Sequence, residues 1–310
     1  MAELLYQRDV YGKTLVELGK ANNNVVVLDA DLSGSTRTAI FAKEFPQRFF
    51  NFGVAEQNMV ATAAGLASCG KTVFVSTFAM FATGRAWDQI RNSVAYSNFD
   101  VKIVATHAGV SVGPDGASHQ ALEDIALMRA IPHVNIVVPC DGPQTREAVL
   151  AAAAHKGPFY IRMGRAKVPT VENKGEFVLG KAQVLRQGND VALICCGAMV
   201  QEALCACDAL AAKGVKARLV NMHTIRPLDT AAILDAARTT KGIVVCEEHT
   251  TVGGLASCVG EVVSEHHPAR VLHVGIRNRF GQSGEPEELF KEYCIAGSDI
   301  EKAALTIAGK

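Results

Sequence analysis

The sequence predicts an α/β protein with two doubly wound domains, a parallel-sheet domain followed by a smaller α/β domain. Short apolar segments alternate with stretches of helical periodicity, which is typical of βα units whose parallel strands are buried on both faces. The chain has 310 residues, of which 49% are hydrophobic, so at about 150 residues per domain it can build two cores. A polar segment with Pro and Gly, residues 165–180, interrupts the alternation once.

Nine apolar segments are the predicted strands. In the first half they cover residues 25–30, 72–78, 101–107, 134–139 and 158–163, and in the second half 191–196, 215–220, 242–248 and 270–275. Residues 56–69, 84–96 and 144–154 are Ala-rich or amphipathic and are predicted to form crossover helices. The predicted organisation is a first domain over residues 1–168, a linker over 169–182 and a second domain over 183–310.

Composition argues against several classes of function. The chain has 31 Lys and Arg and 31 Asp and Glu, so it has no basic excess with which to neutralise nucleic-acid phosphates. Its longest apolar run, residues 191–200, is about half of the roughly 20 residues that a membrane-spanning helix needs. The N-terminus lacks a basic segment followed by a long apolar stretch, so we expect a cytoplasmic protein that binds neither membrane nor nucleic acid.

Two common site types also find little support. The nine cysteines lie mostly in apolar surroundings, which favours reduced thiols, and Cys205 with Cys207 has no second pair to complete a zinc site. Residues 65–72 match the phosphate-binding pattern G-x-x-x-x-G-K-[ST]. They are predicted to end a helix and begin a strand, however, whereas a phosphate loop leaves a strand and begins a helix. The dinucleotide pattern G-x-G-x-x-G is absent.

Chemistry-bearing residues concentrate after two predicted strands, where open α/β sheets bind ligands. Glu56 stands at the start of a helix dominated by apolar and small residues. It is either a charge at the positive end of the helix dipole or a buried carboxyl that shares a proton with a ligand nitrogen. Residues 106–120 contain two histidines, an aspartate and three glycines. This segment is either an Asp-Gly turn with surface histidines or a site whose glycines, at 109, 113 and 116, admit a ligand.

At these two segments the chain resembles the C-terminal half of transketolase, a thiamine-diphosphate enzyme. The segment GPDGASHQALEDIALMR, residues 113–129, carries the most specific resemblance. Further segments agree in the same order along the chain: LDADLSGSTRT at 28–38, GVAEQNM at 53–59, STFAMF at 76–81, NMHTIRPLD at 221–229 and CEEHTTVGGLAS at 246–257. The resemblance covers nearly the whole chain, and it implies a pyrimidine-binding domain followed by the transketolase C-terminal domain.

The resemblance implies a role for individual residues. Glu56 would hydrogen-bond the cofactor's aminopyrimidine and promote its imino tautomer, Phe78 and Phe81 would wall that ring, and Asp31 would lie near the thiazolium. Asp115 and His119 would bind the sugar near the reacting carbons, with His119 in a catalytic role at the carbonyl oxygen. The positions that bind substrate phosphate in the family correspond to Arg8, Ser35, His107 and Arg162, with Arg165 as the alternative to Arg162.

The family's diphosphate and metal site uses a Gly-Asp-Gly segment, which this chain lacks. The resemblance therefore implies a split transketolase, in which an N-terminal-type subunit carries the diphosphate-binding domain and holds Mg²⁺. We expect a heterotetramer of two subunits of each kind, no metal site in this chain, and sugar phosphates as substrates.

The implied reaction moves a two-carbon glycolaldehyde unit from a ketose phosphate to an aldose. One alternative is a specialised split transketolase for a branched (apulose-type) or sulfonated ketose. The β subunit of a 2-oxo acid dehydrogenase and a non-catalytic regulatory subunit are further alternatives. Deoxyxylulose-phosphate synthase also has a similar loop, but its domains normally share one chain and its donor is pyruvate.

Overall fold

The fold places two sheets of largely parallel strands side by side, and a computed structural model describes residues 3–172 and 175–310. In the first half of the chain the strands are β1 (Leu4–Tyr6), β2 (Val25–Asp29), β3 (Phe49–Asn51), β4 (Thr72–Phe78), β5 (Val101–Thr106), β6 (Asn135–Val137), β7 (Phe159–Arg162) and β8 (Lys167–Pro169). All residues of β2, β4 and β5 are buried, as expected for central parallel strands with helices on both faces. The five predicted strands of this half are all present.

The helices of the first half are α1 (Gln7–Ala21), α2 (Ser33–Thr36), α3 (Ala39–Glu44), α4 (Glu56–Ser68), α5 (Trp87–Gln89), α6 (Asp124–Arg129) and α7 (Gly142–Ala154). The predicted crossover helix over residues 84–96 is present as a set of short helical segments and not as one α-helix. Two π-helical segments, Phe81–Arg85 and Ile90–Ala95, enclose the short α5. Such π turns accommodate extra residues per turn and often lie at functional sites, and hydrophobic periodicity does not predict them.

The second half contains β9 (Gln183–Arg186), β10 (Val191–Cys195), β11 (Ala217–Asn221), β12 (Thr224–Arg226), β13 (Ile243–Thr250) and β14 (Val271–Ile276). Its helices are α8 (Met199–Ala212), α9 (Thr230–Thr239), α10 (Leu255–His266), α11 (Pro286–Glu292) and α12 (Gly297–Ala308). The second sheet has the order β14-β13-β10-β11-β9, in which only β9 is antiparallel to its neighbour.

One strand crosses between the two halves. The order of the first sheet is β12-β6-β7-β5-β4-β2-β3, so β12 from the second half extends it, antiparallel to β6. Buried side chains from both halves, among them Ile136 and Val138 with Ile194 and Ile225, form one continuous hydrophobic cluster. The two domains therefore share a core, which fixes the second domain against the first.

The turn at residues 65–72 runs from a helix to a strand. Gly70, with φ +83°, follows α4, and Thr72 begins β4. A nucleotide-binding loop runs in the opposite order, so the structure confirms that this segment is a helix end.

The predicted domain bounds fall at the end of β8 and just before β9, and they stay a prediction. The final strand of the first half, β8, pairs with β1, and β9 begins at Gln183. Residues 173 and 174 of the predicted linker, and residues 1 and 2 of the predicted first domain, lie outside the described residues. Across residues 3–172 and 175–310, no helix is long and apolar enough to cross a membrane.

Candidate active site

The candidate site lies at the carboxyl edge of the first sheet. Strands β5, β4, β2 and β3 are adjacent and parallel, so the segments that follow them meet at this edge. These segments contain most of the predicted site residues.

Glu56 is the first residue of α4 and only 3% of its surface is exposed. Arg85 Nη1 donates to Glu56 Oε1 at 2.9 Å, and the Arg85 guanidinium carbon lies 4.2 Å from the centre of the Phe81 ring. Gln57 Nε2 donates to the Arg85 carbonyl at 3.1 Å, which ties the start of α4 to the first π turn. Glu56 is thus a buried carboxylate with a half-exposed cationic partner.

Sequence reasoning missed Arg85. The available signal was its spacing of four residues from Phe81, which places two residues on the same side of a helical segment. Its pairing with Glu56 is a long-range contact that the spacing alone does not predict.

Four rings form an aromatic group that Arg85 connects to Glu56. The rings of Phe78 and His107 stack with their centres 3.8 Å apart and a 20° angle between planes. Phe81 stacks on Phe78 at 5.8 Å, and His119 approaches the Phe81 ring edge-on at 5.3 Å. The structure therefore brings together four residues that the sequence analysis placed in one site.

His107 is held in one protonation state. It has φ +59° and is 2% exposed. Burial, with the positive charges of Arg8 and Arg165, lowers its pKa to about 3. Since Arg8 Nη1 donates to its Nε2 at 3.5 Å, Nδ1 carries the proton and donates to Thr106 Oγ1 at 2.8 Å. The imidazole is therefore neutral, and its tautomer is fixed.

A group of arginines lies next to His107. Arg8 Nη1 also reaches the Ser35 carbonyl at 3.4 Å. Burial and the nearby charge of Arg37 lower the pKa of Arg8, and Arg165 acts in the same direction. Arg165 Nη1 donates to the Val112 carbonyl at 3.1 Å. Crowded cations of this kind favour an anion between them.

Arg162 does not fit the phosphate role given to it above. Its side chain is 6% exposed, its Nε donates to Asp124 Oδ2 at 2.7 Å, and its Nη2 donates to the Glu248 carbonyl at 2.9 Å. The Tyr160 hydroxyl donates to the same Asp124 oxygen at 2.6 Å. Although burial opposes its charge, Asp124 holds the pKa of Arg162 above the usual value. Arg162 joins the two domains, and Arg165 is the cation beside Arg8 and His107.

A buried aspartate organises the segment after β2. The Asp29 carboxylate accepts from the Leu32 amide at 2.6 Å and from the hydroxyls of Thr36 and Thr38 at 2.7 and 2.8 Å. Burial raises the pKa of Asp29, although these three bonds favour its charged form. Asp31 is exposed with φ +63°, and its Oδ1 accepts from Asn51 Nδ2 at 3.2 Å.

Residues 107–120 form a compact loop with a 3₁₀ turn over Val110–Asp115. Asp115 is exposed, and His119 is half-buried with its Nδ1 2.9 Å from Ser118 Oγ. Contact between the glycines of this loop and a ligand stays a prediction, and the atoms nearest to a Cβ built on them belong to the second domain. A Cβ at Gly109, Gly113 or Gly116 would meet Glu248, Gly284 or Ser283 of the second domain.

No group of three His, Cys, Asp or Glu side chains within residues 3–172 and 175–310 is arranged to hold a metal ion. The site consists of a carboxylate, three stacked rings with a fourth ring edge-on to them, and a cluster of arginines.

Comparison with known proteins relates both halves of the chain to transketolase. Family models match residues 5–170 as a transketolase pyrimidine binding domain and residues 180–300 as a transketolase C-terminal domain. A protein of Methanocaldococcus jannaschii described as a transketolase C-terminal section is 50% identical over 299 residues, which is 95% of this chain and 94% of that protein. One of the subunits of the apulose-4-phosphate transketolase of Phocaeicola vulgatus is 41% identical over 305 residues, which is 98% of this chain and 97% of that protein.

A solved structure agrees with these relatives. It is a split-gene transketolase, described as an inactive β4 tetramer, with 47% identity and a TM-score of 0.91 over 98% of this chain and 99% of that one. The two matched domains cover most of the chain, and the carboxylate, the rings and the arginines all lie in the first of them. The chain therefore belongs to the transketolase family and corresponds to the C-terminal section of a split transketolase.

Proposed function

We propose that this chain works with an N-terminal-type subunit to transfer a two-carbon glycolaldehyde unit from a ketose phosphate to an aldose. The observation that carries the proposal is the buried Glu56 carboxylate at the start of α4, which Arg85 links to the stacked rings of Phe81 and Phe78. This donor set fits the aminopyrimidine half of thiamine diphosphate, because that ring needs a carboxyl at one nitrogen and flat apolar contacts.

These contacts support the roles that we assign to the residues around the cofactor. When bound, thiamine diphosphate supplies the nucleophilic carbon that takes up the two-carbon unit. Glu56 holds a proton at the pyrimidine ring nitrogen, and Phe78 and Phe81 pack against the ring and exclude water. Arg85 pairs with one carboxylate oxygen of Glu56 and keeps the side chain oriented. Asp31 is the residue we assign to the thiazolium side.

The sugar is assigned to the loop after β5 and to the arginines. His119 would donate a hydrogen bond to the carbonyl oxygen as negative charge develops on it, and Asp115 would bind a hydroxyl. Arg8, Ser35 and Arg165 are the phosphate ligands in this proposal, and His107 contributes to the same group by accepting a hydrogen bond from Arg8 and so orienting its guanidinium. Arg165 takes the place of Arg162, because the Arg162 side chain is 6% exposed and paired with Asp124.

The partner subunit would hold Mg²⁺ and the diphosphate, in a cytoplasmic heterotetramer of two subunits of each kind. The related β4 tetramer is described as inactive, which supports the need for a second kind of subunit. The relative named for apulose 4-phosphate, 41% identical, makes a branched ketose phosphate the second candidate donor, and a sulfonated ketose remains a third.

The test is Glu56→Gln in the assembled complex. An amide cannot share a proton with the pyrimidine nitrogen, so we expect turnover to fall by orders of magnitude and hydrogen–deuterium exchange at the cofactor C2 to slow in parallel. Glu44→Gln, at the exposed end of α3, is the matched control and should change neither rate.

Two outcomes would contradict the proposal. Unchanged C2 exchange in Glu56→Gln would mean that Glu56 is only a charge at the helix end. Tight Mg²⁺-dependent binding of thiamine diphosphate by the chain alone, measured by calorimetry, would refute the need for a partner.

A further inference from the structure

The second domain contacts the loop 107–120 at several points. Glu248 Oε1, on β13, accepts from the Ser111 amide at 2.6 Å. Gln120 Nε2 donates to the Gln282 carbonyl at 2.9 Å, and also to the loop's own Val110 carbonyl at 3.1 Å. These bonds attach both ends of the loop to residues far along the chain.

Two glycines of the loop pack closely against the second domain. A Cβ at Gly109 would lie 2.2 Å from Glu248 Oε1, and one at Gly116 would lie 2.7 Å from Ser283 Oγ. Both residues have positive φ, +83° and +73°, where a side chain is strained in any case. The loop backbone can therefore pack this closely against Glu248 and Ser283 only because these two positions have no side chain.

Glu248 is itself firmly held. It is 4% exposed, and its carbonyl accepts from Arg162 Nη2 at 2.9 Å, which connects β13 to β7 of the first sheet. The residue before it, Glu247, directs its carboxylate elsewhere. Glu247 Oε2 and Oε1 accept from the Leu255 and Ala256 amides, at 2.7 and 2.9 Å, at the start of α10 in its own domain. Because successive side chains of a strand point to opposite faces of the sheet, the Glu248 carboxylate binds the loop and the Glu247 carboxylate binds the start of α10.

We propose that Glu248 is a positioning residue through which the second domain sets the conformation of the loop that presents Asp115 and His119 to the sugar. Glu248 acts through the Ser111 amide, four residues before Asp115 in the chain. The inference rests on the proposed function, because it assigns that loop to the sugar. It gives the C-terminal domain a specific part in the reaction.

The experiment compares Glu248→Ala with Glu247→Ala in the assembled complex. By amide hydrogen exchange, we expect Glu248→Ala to raise exchange tenfold or more in a peptide over residues 109–120. Glu247→Ala should instead raise exchange at residues 254–258. Glu248→Gln keeps a carbonyl oxygen for the Ser111 amide and should restore most of the protection.

Kinetics then separates positioning from general damage. Glu248→Ala should lower kcat/KM for the sugar substrates tenfold or more, while exchange at the cofactor C2, which depends on Glu56, stays unchanged. If Glu248→Ala does not fold, Gly109→Ala is the second variant, because its methyl group would displace the same carboxylate.

Unchanged protection of residues 109–120 in Glu248→Ala would overturn the proposal, and so would a slowing of C2 exchange equal to the loss of sugar turnover. A wild-type complex that turns over no sugar would refute the proposed function, whereas the amide exchange would still decide whether Glu248 holds the loop.

Discussion

Replacing Arg165 tests whether the arginine group binds the substrate phosphate. The substitution is Arg165→Gln, which removes the charge while the glutamine amide retains a donor for the Val112 carbonyl, now bound by Arg165 Nη1 at 3.1 Å. The charges of Arg165 and Arg37 each lower the pKa of Arg8, so both cations repel Arg8 in the free protein, although Arg37 is itself paired with Asp9. We therefore expect no loss of stability from the substitution.

The magnitude follows from the kind of bond that is lost. A charge-assisted hydrogen bond contributes about 1.5–3 kcal/mol, and each 1.36 kcal/mol is a factor of ten, so kcat/KM for the phosphorylated donor should fall by roughly 10- to 150-fold. The unphosphorylated donor has no group for Arg165 to bind, and its kcat/KM should stay within about twofold.

The assay measures kcat/KM of the assembled complex with both donors. Lys167→Gln, an exposed cation two residues along the chain, is the matched control and should affect neither donor. An equal fall for both donors in Arg165→Gln would refute the reasoning, because it would show that Arg165 only supports the loop through Val112.

Two further predictions concern stability. Asp124→Asn should lower the free energy of unfolding by roughly 3–5 kcal/mol in urea denaturation, because it leaves the buried Arg162 without its carboxylate. The control is the exposed pair of Arg146 and Glu17, where Glu17→Gln should lower the free energy of unfolding by at most about 1 kcal/mol. Equal losses in the two variants would contradict the argument that the burial of Arg162 sets the cost. For His107 the folded-state pKa of about 3 lies below the ordinary 6.5, so the unfolded chain binds the proton first and stability falls as pH drops below 6.5. Between pH 7 and pH 5, protonation of His107 in the unfolded chain should lower the free energy of unfolding by about 2 kcal/mol, and His107→Asn should abolish this loss. If the free energy of unfolding falls equally with pH in wild type and variant, His107 is not the cause of the fall.

The sequence predictions that the structure confirms rest on repeating local patterns of apolar residues. All nine predicted strands are present. They could be predicted because a run of β-branched and apolar residues between turns is a local pattern that can be read from the sequence. Glu56 at the start of α4 and the ring positions Phe78 and Phe81 also follow from short segments, and the resemblance to transketolase rested on such segments in order.

Long-range pairing decided the rest. Arg162 and Arg165 are three residues apart, yet Arg162 lies buried against Asp124 and Arg165 lies beside Arg8, and both of these neighbours are distant in the sequence. The loop residues Gly109 and Gly116 lie against Glu248 and Ser283 of the second domain, contacts between segments far apart in the sequence. Strand β12 crosses to the first sheet for the same reason: the partner of a strand edge is chosen in three dimensions, and no local periodicity encodes it.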